Sequence, residues 1–459
     1  MNSNKTRSFS STAVLKHSIV ECEIERLGVN GEGISSIEGV TLFVTGALPG
    51  EKVRVRITDV SSSYVTGKIL DQLTQSQSRV QPFCKVYGRC GGCQLMHLSG
   101  NGQLKYKRQR IQDELTHTAG LTDVEVRPCL ESPGPKAYRN KIELPFRMRD
   151  RNRTFGFFRE GSHDIIRVEN CPVHLQQGER IYKTVREAVL ESPIPPYDEN
   201  RHSKGLRHII IRTAASTGKA QVILVTNEIN IDILKKLAGI IMSRTKDISG
   251  IFCNENTFKN NVVLGKKMIL LAGEQVLRET VGKWSYDIGP SSFFQVNPGQ
   301  SAVMLNKVIE AAAVTPNDKV LDAYCGAGFF SIPLAEKAHS VVGVEEVEEA
   351  VALADRNAKL NNIKNAKFIA GQAEKVISEI DRCDIVVVDP PRKGCAASFL
   401  EVIIKMAPRR IVYVSCNPST LARDLKIICE AGYKTEYVQP LDMFPQTAHV
   451  EAIAVINKL

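Results

Sequence analysis

Between Val320 and Glu345 the chain runs from an apolar stretch, Val320-Leu321-Asp322-Ala323, through Tyr324-Cys325-Gly326-Ala327-Gly328 into a helix start. It then reaches a second apolar stretch, Ser340-Val341-Val342-Gly343-Val344, which ends in Glu345. Strand, glycine turn, helix and strand in this order form a βαβ unit. From Pro290 onward the same alternation is regular, which predicts an α/β doubly wound sheet. The closing runs Tyr433–Gln439 and Val450–Ile456 have no helix between them and are expected to pair antiparallel.

The turn glycines let the backbone approach a ligand, and the helix N-terminus offers free N–H groups. Glu345, about twenty residues past the turn, stands where a carboxylate accepts bonds from the two hydroxyls of a ribose. The third glycine of a dinucleotide fingerprint is missing and no Gly-Lys-Ser loop is present, which argues against dinucleotides and nucleoside triphosphates. S-adenosylmethionine, with a ribose and no phosphate, fits better.

Three further segments bring chemistry to the carboxyl ends of strands, where open α/β sheets bind ligands. Ser415-Cys416-Asn417-Pro418 follows the apolar run Arg410–Val414 and sets a thiol there. Asp389-Pro390-Pro391-Arg392 is a rigid corner, because each proline fixes φ and biases its predecessor to extended geometry. A final strand, Val450 to Ile456, contributes the carboxylate of Glu451.

The order of these segments, with Phe293-Phe294-Gln295-Val296-Asn297 before them, resembles the RNA (uracil-5-)-methyltransferase family, in particular its iron–sulfur-containing 23S ribosomal RNA branch. The resemblance runs from about Lys16 to the C-terminus. It implies a Rossmann-like class I methyltransferase domain in which Gln295, Tyr324, Gly326, Glu345 and Asp389 bind S-adenosylmethionine. It also implies that Cys416 is the nucleophile and Glu451 the general base.

The chemistry accounts for these residue types. Uracil C5 is a poor nucleophile; a thiolate adding to C6 makes the ring an enolate with electron density at C5, so one hard step becomes several easier ones. A carboxylate then removes the C5 proton, which suits a glutamate whose pKa is raised by burial. A free thiol is mostly protonated at neutral pH, and the helix N-terminus after Cys416 is expected to help ionise it.

With 459 residues and 43% hydrophobic content the chain is long enough for two or three cores, and its net charge of +10 suggests an anionic partner. The charge clusters in Lys105-Tyr106-Lys107-Arg108-Gln109-Arg110, and in Arg147 to Arg153 with Phe155, Phe157 and Phe158. The second reads as a β-hairpin tip and is the stronger RNA candidate, since cations interleaved with aromatics suit phosphate contact and base stacking. No segment reaches the roughly eighteen apolar residues of a membrane span, and Met1 to Thr12 lacks the apolar core of a secretory signal. A cytoplasmic monomer with reduced thiols is expected.

Four of the twelve cysteines form a pattern: Cys84, Cys90 and Cys93 in one glycine-rich loop, and Cys171 before Pro172. Clustered thiolates with a distant fourth look more like iron–sulfur ligation than paired zinc knuckles, with zinc the alternative. The family resemblance implies a [4Fe–4S] cluster on Cys84, Cys90, Cys93 and Cys171. Methyl transfer needs no electrons, so a structural role is expected.

Short alternating runs between His17 and Gln75 indicate a small barrel similar to a TRAM domain, an OB-like RNA-binding module. The expected organisation is a tail (1–15), a TRAM domain (16–75), a central α+β iron–sulfur and RNA-binding domain (76–289) and the methyltransferase domain (290–459). The expected activity is 5-methyluridine formation in 23S ribosomal RNA. A transfer RNA substrate, an amino-methyltransferase and a non-catalytic RNA-binding assembly protein are the alternatives.

Overall fold

The computed structural model describes residues 15–376, 380 and 382–459. The expected N-terminal tail, apart from Leu15, lies outside the described residues. The chain forms two compact units: one of residues 1–83, 93–106 and 446–448, the other of residues 84–92, 107–445 and 449–459.

The first unit holds a six-stranded sheet ordered Ile19–Glu23, Lys52–Val60, Tyr64–Gln72, Val40–Thr45, Gly33–Ile37, Arg26–Leu27. Alternation along Lys52–Val60 buries Val53, Val55 and Ile57 against Leu42, Val44 and Val65, as a half-solvated strand requires. Gly67 lies where this packing is tightest; a Cβ there would sit 2.2 Å from a Val55 methyl.

The second unit contains two large sheets. The seven-stranded one runs Ile165–Arg167, Asn152–Phe158, Lys141–Arg149, Gly205–Thr213, Ala220–Asn227, Ile248–Glu255, Lys267–Gly273. Helix Gln176–Glu191 buries Ile181, Val185, Ala188 and Val189, spaced three and four apart, in the core of this sheet. Helix Ile231–Arg244 adds Leu234, Leu237 and Ile241, and its first turn is capped by Asn230, whose side chain accepts from the Asp232 N–H at 2.8 Å.

The eight-stranded sheet is ordered Ala366–Ala370, Ser340–Glu345, Lys319–Ala323, Ile385–Val388, Arg410–Ser415, Glu451–Lys458, Tyr433–Leu441, Glu125–Val126. The first five strands are parallel, and Glu451–Lys458 runs antiparallel between its two neighbours, as the missing helix predicts. Apolar clusters cover both faces. The central sheet also secures the segment before this domain. Arg212 donates to the carbonyls of Gly289 and Ser292 at 3.1 and 2.7 Å, and the Asn140 N–H to that of Val296 at 2.9 Å.

Each basic cluster commits some of its cations to the fold. Lys107 is fully buried, paired with Asp442 and donating to the Phe444 carbonyl at 3.0 Å, so it is unavailable to RNA. The second cluster is indeed a hairpin, Lys141–Arg149 with Asn152–Phe158, but two of its cations serve the fold. Arg147 pairs with Glu199, and Arg153 donates to the carbonyl of Leu190, in the last turn of helix Gln176–Glu191, and to those of Ser192 and Ile194 just beyond it. Cations were legible as cations; which of them the tertiary structure would use was not.

Candidate functional site

Cys416 follows the last residue of strand Arg410–Ser415, whose terminal pairing is Ser415 with Ala452. Glu451, the first residue of the antiparallel neighbour, is therefore the next residue in register. Local bonds shape this corner. Asn417 caps helix Pro418–Glu430 by accepting from the Ser419 N–H at 3.1 Å, while its Nδ2 donates to the Arg392 carbonyl at 2.9 Å. One side chain thus ties the Cys416 turn to the Asp389–Arg392 corner.

The electrostatics follow from this crowding. Burial pushes the Cys416 thiol up to about 11; the Glu451 and Asp389 carboxylates act in the same direction and Arg392 opposes them. Desolvation and neighbouring anions thus work against the ionising effect expected of the helix N-terminus. Glu451, 6% exposed, is held well above the usual carboxylate range by burial and then by Asp389, against Arg392. Burial and Asp322 raise Asp389 to about 7. His449 is held below its ordinary value by burial and then by Arg392, Lys107, Arg110 and Arg139.

On the other side of the sheet centre, Glu345 accepts from the Gly326 N–H at 3.1 Å and the Val347 N–H at 3.0 Å, one on each carboxylate oxygen. These bonds fix the carboxylate and leave lone pairs for a ligand. Tyr324 and Gly326 take left-handed φ values of 64° and 54°, and no protein atom lies within 4 Å of a Cβ built on Gly326. That open space above a glycine backbone is where a cofactor can approach, so the turn fits S-adenosylmethionine. Gln295, 8% exposed, lies on the segment held by the central sheet, its carbonyl accepting from Asn140 Nδ2 at 3.3 Å. Glu345 and Gly326 are thus directly linked, and Cys416 and Glu451 are linked by register.

The cysteine set is less complete. Cys84, Cys90 and Cys171 belong to one unit and act on one another electrostatically, burial being the first cause that lifts Cys90 and carries Cys171 to about 12. Cys93 belongs to the other unit. Among the described residues no three or more His, Cys, Asp or Glu side chains form a group that could hold a metal ion.

Sequence reading missed Asp424. It is fully buried; its Oδ2 accepts from the Tyr413 hydroxyl at 2.7 Å and the Cys395 N–H at 2.9 Å, and its Oδ1 from Arg423 at 2.8 Å. It anchors the loop after Arg392 to the helix after Cys416. The one signal was a carboxylate on the otherwise apolar face of Leu421, Ala422, Leu425 and Ile428.

A sequence profile described as tRNA (Uracil-5-)-methyltransferase matches residues 100–459, and one described as TRAM domain matches residues 14–70. The chain is 43% identical to an uncharacterized RNA methyltransferase of Clostridium tetani, the match covering 97% of each. It is 40% identical to one of Halalkalibacterium halodurans, over 97% of this chain and 98% of the relative. The fold is similar to the crystal structure of Pyrococcus abyssi tRNA (uracil-54, C5)-methyltransferase in complex with S-adenosyl-L-homocysteine. That similarity has a TM-score of 0.77 at 29% identity and covers 95% of this chain and 99% of that one.

Proposed function

Because this chain belongs to the RNA (uracil-5-)-methyltransferase family and carries an N-terminal TRAM domain, it methylates uracil C5 in RNA, and we propose that Cys416 and Glu451 carry that chemistry. The observation that carries the proposal is their adjacency in the antiparallel register. S-adenosylmethionine, when bound, supplies an electrophilic methyl group. Glu345, whose oxygens are already oriented by two backbone N–H groups, would receive the ribose hydroxyls, and Gly326, Gln295, Tyr324 and Asp389 would hold the rest of the cofactor.

Cys416 Sγ, once deprotonated, would bond to uracil C6, and the electron pair of the C5–C6 double bond would move toward C5, which would take the methyl group as its bond to the sulfonium sulfur breaks and S-adenosylhomocysteine leaves. Glu451 then accepts the C5 proton; the electrons of that C–H bond restore the double bond and the C6–S bond breaks, returning the thiolate. Arg392 is the charge that favours both the thiolate and the Glu451 carboxylate before the reaction begins.

We further propose 23S ribosomal RNA as the substrate and a [4Fe–4S] cluster on Cys84, Cys90, Cys93 and Cys171. The support is the spacing of the four cysteines and the mutual influence of three of them. A cubane gives each thiolate its own iron, so its ligands stand farther apart than those of a single ion. A transfer RNA substrate is the second reading, favoured by the activity of the Pyrococcus abyssi protein. Mapping 5-methyluridine in ribosomal and transfer RNA from a deletion strain and its parent decides between them: a missing ribosomal modification supports the first reading, a missing transfer RNA modification the second.

A further inference from the structure

The hairpin tip of the central sheet, helix Gln176–Glu191 and the edge strand Ile165–Arg167 enclose a cavity of about 480 Å3 lined by Arg149, Arg153, Arg167 and Arg186, with Asp150 the one carboxylate on its wall. Arg153 and Arg186 form no ion pair among the described residues. Arg153 is held in place by carbonyls alone, so its position is fixed while its charge stays uncompensated. Arg149 is likewise positioned by the Ile165 carbonyl at 2.6 Å. The remaining ion pairs, Arg149 with Asp150 at 3.5 Å and Arg167 with Glu169 at 2.9 Å, are exposed and weak enough for a phosphate to displace.

At the hairpin tip Asp150 and Arg151 both take left-handed φ values, 48° and 62°, where a turn of this shape prefers Asn-Gly. Arg151 thus puts a further cation at the hairpin tip. A neighbouring cavity of about 700 Å3 shares Arg149 but balances its basic side chains with as many carboxylates, so it has no such preference.

We propose that the arginine-lined cavity binds a backbone phosphate of the substrate RNA, with Arg149, Arg167 and Arg186 making the contact and Arg153 a fixed fourth charge. The inference rests on RNA being the substrate. Guanidinium forks match phosphate oxygens in pairs, and such contacts position an RNA without reading its sequence.

The test is binding of poly(U) by the full-length protein across a salt series. Arg149→Ala with Arg186→Ala should weaken binding about tenfold near physiological salt and reduce the slope of log affinity against log salt by about one to two. Single Arg186→Glu should weaken it further than Arg186→Ala, and Arg186→Lys should recover part of the loss. Unchanged S-adenosylhomocysteine affinity and heat denaturation show that the variants fold. Millimolar inorganic phosphate should leave wild-type poly(U) binding unchanged. Wild-type affinity and salt slope in Arg186→Glu would overturn the proposal, as would saturable phosphate binding with RNA affinity indifferent to the variants. Failure of the catalytic assignment would leave these binding results untouched, so the two are separable.

Discussion

Cys416 and Glu451 are consecutive in register on antiparallel neighbours: the pairing of Ser415 with Ala452 closes one strand just before the thiol and opens the other just after the carboxylate. The thiol and the carboxylate therefore reach the same edge of the sheet from opposite chain directions. The pairing is anchored along six residue pairs, Arg410 with Asn457 through Ser415 with Ala452, so the relative placement of the two groups is set by backbone hydrogen bonds rather than by side-chain choice.

Cys416→Ala should abolish methylation and leave S-adenosylhomocysteine affinity within about twofold, because the thiol acts on the base alone. Wild type should form a denaturation-resistant adduct with 5-fluorouridine RNA, since fluorine at C5 cannot leave as a proton. Glu451→Gln should accumulate adduct on ordinary RNA, stalled after methyl transfer. Turnover by Cys416→Ala, or an adduct-free and folded Glu451→Gln, would reassign the roles.

The pH profile follows from the raised thiol. With Cys416 near 11, the thiolate is a small fraction of the free enzyme at neutral pH and grows about tenfold per pH unit. Glu451, also raised, ionises in the same direction. Initial rates at subsaturating RNA should therefore climb from pH 6 to pH 9 without an alkaline plateau. A profile flat above pH 7 would mean that a step other than ionisation of the free thiol governs the rate.

Gly326→Ala places a methyl group in the open space above the turn and forces an L residue to a φ of 54°. The expected result is a loss of stability of about 1 kcal/mol with a much larger loss of cofactor affinity, at least tenfold by calorimetry. Equal, small effects on both would show that the cofactor keeps its distance from this backbone.

Lys107→Met removes the cation from a buried pair and leaves Asp442 uncompensated, which should cost roughly 3 to 5 kcal/mol in urea unfolding. The salt dependence of RNA binding should stay as in wild type. A flatter salt slope with unchanged stability would return Lys107 to the RNA surface.

For the cysteine set, protein prepared without air should carry about four irons per chain and a broad visible absorption. Cys90→Ser with Cys93→Ser should bleach it and weaken RNA binding more than cofactor binding. Stoichiometric zinc without iron or sulfide would replace the cluster with a zinc site.

The catalytic sheet was legible in the sequence because its signals are local: apolar runs, the Gly326 turn, the acidic strand end at Glu345 and the missing helix before Glu451 each depend on neighbours within a few residues. Short-range physics also predicted the hairpin at Arg147 to Arg153, since two alternating runs around a polar tip have few other solutions. Which cations stay free was decided elsewhere. Lys107 meets Asp442 and Arg153 meets the end of helix Gln176–Glu191 only after distant segments pack, and a buried charge or an orphaned carbonyl has no signature at short range. The same holds for the ionisation of Cys416. The helix that follows it argued for a thiolate, whereas burial and two carboxylates, from Glu451 and the Asp389 corner, push the other way once the fold brings them together. Periodicity and turn chemistry are carried by the chain itself; desolvation and charge pairing belong to the folded molecule, because they depend on what lies nearby in space.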